Sequence, residues 1–168
     1  MSPLPRVGSI VLVPVSIQDT IRRLVAISSL TTYDRLGLAT ERYSHLRVRR
    51  TNISRPCVLT DVSPESFNVV PLATFKGKPI VDLPPLIKFF AEPFGKEIDW
   101  RHKEGRTCYA FTSLVPLCAA AFTARETGAV VPSTLLAALT NLCKTREEEF
   151  RRLSAADRMA LVASAGAH

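Results

Sequence analysis

Between Arg42 and Arg50 a two-residue alternation places Tyr43, His45, Arg47 and Arg49 on one face of an extended segment, with Leu46 and Val48 on the other. Cations beside aromatic rings are what a protein uses to hold single-stranded nucleic acid, the cations on phosphates and the rings against bases. Arg50 prolongs the basic run, and Lys76 and Lys78 bracket Gly77 further along the chain. A half-buried edge strand turning its charges to water has the same pattern, so both readings of the segment stand.

The charge distribution points the same way. The chain of 168 residues carries a net charge of +7, and its first sixty residues hold nine arginines, no lysine and three acids. That third alone is +6, whereas the remainder is nearly balanced. Each guanidinium can grip two phosphate oxygens at once, so a concentrated arginine field favours RNA or another phosphate-bearing partner. A solvated arginine-rich face is the alternative.

Other chemistries find little support. The seven glycines are isolated, which leaves no phosphate-cradling loop, and no G-x-S-x-G marks a serine nucleophile. Cys57, Cys108, Cys118 and Cys143 form no C-x-x-C pair and sit among apolar neighbours, so reduced, buried thiols are expected. His45, His102 and His168 are dispersed, and neither a metal nor a cofactor is expected. Glu147-Glu148-Glu149 reads as a solvated helix face. The longest early apolar run, Ile10 to Val15, is too short to span a bilayer and makes a poor secretory signal, so no membrane association and a cytoplasmic or nuclear location are expected.

The elements that must position these residues suggest one α+β domain over 1–168. With 46% apolar and 22% charged residues, the composition is globular. Ile10-Val11-Leu12-Val13-Pro14-Val15 reads as a first strand. Asp19 or Thr20 could cap a helix through Ile21, Leu24, Val25 and Ser28. Arg55 to Val62 and Phe67 to Phe75 flank the turn residues Ser63-Pro64-Glu65-Ser66 and predict a hairpin, with Pro71 implying a bulge or an edge. A proline-started helix follows within 83–94, then a polar loop over 95–106 in which Trp100 is either a tether or a stacking platform, then a strand at Cys108–Phe111. Leu135, Leu136, Leu139, Leu142 and Cys143 lie at helical spacing behind Ser133 as candidate cap. A second helix starts at Ser154-Ala155-Ala156-Asp157, leaving Lys144 to Arg152 as linker or helix continuation.

Three blocks in order, Gly8-Ser9-Ile10-Val11-Leu12-Val13, Arg55-Pro56-Cys57-Val58-Leu59 and Val69-Val70-Pro71-Leu72-Ala73-Thr74, resemble the MazF/PemK family of toxin endoribonucleases over residues 8–76. The resemblance implies a small SH3-like antiparallel β-barrel over 8–115, with an insertion at 17–50 and appended C-terminal helices over 130–163. It implies an RNA-binding protein that cleaves RNA without a metal, with Arg55 and Thr74 in the catalytic positions. It also implies a homodimer, with an inhibitory protein partner as a further option. Cleavage by the 2′-hydroxyl needs a proton acceptor, and His45 is the nearest candidate in sequence. Tyr43, Arg47, Arg49, Arg50, Lys76 and Lys78 are the candidate RNA contacts. The competing reading is a non-catalytic small-barrel module that binds a protein partner.

Overall fold

Runs of β-branched and aliphatic residues build Ser9–Val13 (β1), Arg55–Val62 (β2) and Ser66–Ala73 (β3). A computed structural model of the chain describes residues 5–17, 20, 21, 23, 24, 54–95, 106–118 and 125–164. In it the three strands lie side by side and antiparallel, Val11 opposite Cys57 and Val58 opposite Val70. The expected hairpin is present. Its turn is closed by Ser63, whose amide donates to the Ser66 carbonyl at 2.8 Å and whose hydroxyl accepts from the Ser66 amide at 3.0 Å.

Four more strands complete the sheet: Ala91–Phe94 (β4), Cys108–Phe111 (β5), Val115–Cys118 (β6) and Arg125–Val130 (β7). Only β5 had a strand-like sequence. Pro93 lies in β4, Pro116 in β6 and Gly128 in the polar β7, so pairing with neighbours overrides local propensity in all three. The order is β4-β5-β3-β2-β1-β7, with β6 also paired to β3. Among the described residues no pairing joins β4 to β7, so the seven strands form an open antiparallel sheet rather than the closed SH3-like barrel expected from the sequence. The Phe90 carbonyl accepts from the Thr112 amide, and that phase turns the Pro93 nitrogen outward, where its missing N–H blunts the edge.

β5 and β6 are two halves of one strand running along β3. Leu72 faces Ala110 in the first half, and Val69 faces Val115 in the second, so the register slips by two residues across Thr112-Ser113-Leu114. Val70 and Pro71 lie opposite the slip, and Pro71 has no N–H to bridge it, which is the irregularity that the proline foretold.

The slip buries polar groups that need partners. Thr112 and Ser113 are fully buried. Both the amide and the hydroxyl of Thr112 donate to the Phe90 carbonyl, at 2.8 and 2.6 Å. The Ser113 hydroxyl and the Leu114 amide both donate to one carboxylate oxygen of Glu147, each at 2.9 Å. Arg23 reaches the same oxygen at 3.6 Å, and Arg151 the other at 3.7 Å. The reading of Glu147-Glu148-Glu149 as a solvated face is therefore corrected: Glu148 and Glu149 are exposed, and Glu147 turns inward.

Helices Pro85–Phe90 (α1), Ser133–Arg152 (α2) and Ala155–Ser164 (α3) cover the sheet. Lys144 to Arg152 continues α2 rather than forming a linker. Pro132, not Ser133, stands at its N-cap, because Ser133 is already helical and caps nothing. Ser154 does cap α3, accepting from the Asp157 amide at 3.1 Å and donating to its carboxylate at 2.6 Å. Residues 17, 20, 21, 23 and 24 are helical. That helix begins earlier than Thr20, whose amide and hydroxyl both donate to the Ser16 carbonyl. Ile17, Ile21 and Leu24 join Phe90, Phe111 and Phe150 in one apolar cluster, with ring centroids 5.1 Å apart for Phe90 and Phe111 and 5.6 Å for Phe90 and Phe150.

Replacing Glu147 by alanine should cost on the order of 2–4 kcal/mol in urea unfolding, because two buried donors lose their acceptor. Glu147→Gln keeps an accepting oxygen and should lose less than half as much. Equal losses for the two variants would show that the hydrogen bonds do not hold the slip.

Candidate nucleic-acid interface

Four of the residues singled out in sequence meet at the C-terminal end of β3. Arg55 opens β2 opposite Val13, and its Nη1 donates to the Leu72 carbonyl at 3.4 Å. Thr74 comes two residues after Leu72, and Lys76 and Lys78 follow in the turn that leaves the strand. Antiparallel pairing of a hairpin makes this convergence unavoidable, since the start of β2 and the end of β3 are the same end of the sheet.

The turn itself is strained. Phe75 and Lys76 take φ of 46° and 60°, left-handed values that cost about 1–2 kcal/mol for each non-glycine residue. Gly77, with φ of 79°, continues the left-handed path at no such penalty. Its amide donates to the Thr74 carbonyl at 2.8 Å, and the Lys78 amide donates to the Phe75 carbonyl at 3.2 Å. The Phe75 ring packs on Tyr109 of β5, centroids 5.9 Å apart, and this contact helps to hold the unfavourable backbone. The stem of Arg106 lies along Gly77, where a Cβ would come within 3.4 Å of its Cδ.

The electrostatics set Arg55 apart. Its guanidinium is paired to no carboxylate among the described residues, and its Nε is buried without a hydrogen-bond partner. Burial lowers its pKa, while the neighbouring Cys57 and Cys108 thiols act in the opposite sense. Arg23, the other arginine whose pKa burial lowers, has Glu147 against it. A desolvated guanidinium with one long hydrogen bond to a carbonyl has most of its donors unmatched among the described residues. The Thr74 hydroxyl makes no cap hydrogen bond to the turn that it opens, and Lys76 and Lys78 are exposed.

No nucleophile joins them among the described residues. Burial pushes the Cys57 thiol up to about 12 and the Cys108 thiol up to about 11, so both are protonated at neutral pH. Cys143 is likewise pushed up to about 12 by burial. Cys118 departs from the expectation of four buried thiols, being exposed in β6. Tyr43, His45, Arg47, Arg49 and Arg50 lie outside the described residues, as do Trp100 and His102.

Sequence reasoning missed Arg106, the left-handed turn and the Glu147 contacts. Arg106 carried no signal, because only the approach of β5 to the turn brings it over Gly77. Comparison with known protein families, with characterised proteins and with solved structures returns no match to this chain.

Ellman's reagent should modify one thiol of the folded chain rapidly, and Cys118→Ser should abolish that phase while leaving the slow ones. The pH dependence follows from the raised thiols. Unfolded thiols ionise near 9 and the folded Cys57 thiol near 12. Stability from this source is therefore complete below pH 9 and falls as pH rises towards 12. Thermal melts that stay level across that window would contradict the burial of these groups.

Proposed function

We propose that this chain binds single-stranded RNA through its phosphodiester backbone, with Arg55, Thr74, Lys76 and Lys78 as one contact and the arginine-rich segment of Tyr43, Arg47, Arg49 and Arg50 as another. The observation that carries the reading is the Arg55 guanidinium, desolvated and without a carboxylate partner among the described residues, at the end of the sheet from which Thr74 and the exposed Lys76 and Lys78 depart. Arg23, whose pKa burial lowers in the same way, faces Glu147, whereas Arg55 faces no carboxylate among the described residues. The three strands bearing the family-like blocks are consecutive neighbours, which supports reading the sheet as a small SH3-like barrel that has diverged and opened.

Metal-independent cleavage of the MazF/PemK type is the stronger form of this proposal. Arg55 and Thr74 would stabilise charge building on the phosphate, and His45 would take the proton of the 2′-hydroxyl. The convergence of Arg55 and Thr74 on one corner favours it; the protonated thiols offer no substitute for His45.

The test is fluorescence anisotropy with labelled single-stranded RNA in EDTA, from roughly 50 to 200 mM salt. Affinity should fall linearly on logarithmic axes, and Lys76→Glu with Lys78→Glu should weaken binding at least tenfold and flatten the slope by about 1–2. Both lysines are exposed, so the double variant should melt like the parent. Arg55→Lys should also weaken binding, because a lysine cannot reproduce the fork of donors. A salt-independent signal, or none, would transfer the case to a protein-binding module. RNA left intact by the parent would confine the proposal to binding.

A further inference from the structure

A cleft of about 280 Å³ lies between β4 and α2, close to the lower end of the ~300–1,000 Å³ range typical of small-ligand sites. Its walls include Phe94 from the strand and Leu135, Ala138, Leu139 and Leu142 from the helix, and its one ionisable lining residue among those described is Glu92. Strand alternation puts Glu92 on the same face of β4 as Phe94, and Phe94 packs in one cluster with Leu139 and Cys143 of α2. The Glu92 side chain thus stands on the helix-facing side. No hydrogen bond or ion pair joins it to another described residue. In a chain of net charge +7, Glu92 is thus a half-buried acid that lines an apolar cleft with no described cation against it.

We propose that this cleft binds a small apolar amine, its hydrocarbon body against Phe94 and the α2 leucines and its ammonium on the Glu92 carboxylate. A charge-assisted hydrogen bond beside a low-dielectric wall favours the cation over a neutral isostere, and the same carboxylate repels an anion. The edge of β4 argues against an added peptide strand. The Pro93 nitrogen faces outward with no N–H to donate, so the cleft takes a single compact group rather than an extended chain. The cleft shares no residue with the Arg55 corner, and the inference is independent of RNA binding.

Cyclohexylmethylamine, cyclohexylmethanol and cyclohexanecarboxylate, matched in shape and differing in charge, can be titrated against the whole chain by NMR. The amine should bind at least tenfold more tightly than the alcohol, equivalent to about 1.4 kcal/mol, and the carboxylate more weakly than either. Glu92→Gln should erase the preference for the amine while leaving the alcohol unchanged. Ala138→Trp, at an exposed helix position, should fill the cleft and abolish binding of all three without lowering the melting temperature. Amine and alcohol binding equally to the parent chain, no binding by any probe, or amine binding that survives Ala138→Trp would each overturn the proposal.

Discussion

One carboxylate holds the halves of this molecule in register. Where the strand beside β3 slips by two residues, Ser113 and Leu114 turn a hydroxyl and an amide into the interior, and Glu147 of α2 accepts from both. A buried donor left unmade costs about 1–3 kcal/mol, so the slip is tolerable only because the helix supplies that oxygen. The slip in turn lets β5 pair with Leu72 and Ala73, at the end of β3 from which the Thr74 turn departs. Without it, Tyr109 would not lie under Phe75, and the left-handed turn would lose the packing that sustains it.

The arginines show how one side chain serves opposite ends. Arg23 is desolvated against Glu147 and Ser113, and Arg158 donates to the Arg151 and Leu153 carbonyls at the end of α2. Both secure elements far apart in sequence or direction. Arg55 is also desolvated, yet its only acceptor among the described residues is the Leu72 carbonyl at 3.4 Å, a poor return for burying a cation.

Much of the architecture was legible in the sequence because it rests on periodicity and turn chemistry. The continuous apolar run of β1, the serine turn between β2 and β3, the proline start of α1 and the capped α3 all follow from local rules. β4, β6 and β7 were not legible, because prolines, a glycine and charges mask strands that exist only by virtue of their partners. The site divided similarly. Arg55, Thr74, Lys76 and Lys78 were singled out from order and composition, whereas Arg106 comes over Gly77 only through the approach of β5. Glu147 had a signal that its charged neighbours hid. Leu139, Cys143, Glu147 and Phe150 share one face at helical spacing, and the other three are buried apolar residues.

The sequence alone determined the α+β composition, the central hairpin, the long C-terminal helix and the concentration of arginine near the start. These depend on contacts between residues close along the chain, or on counting. Tertiary structure alone decided that the sheet stays open, that β5 and β6 slip, that Glu147 turns inward and that Arg55 lacks an acid. Each of those outcomes depends on which buried polar groups find partners across long sequence distances, and hydrogen-bond satisfaction of that kind is not written in any local pattern.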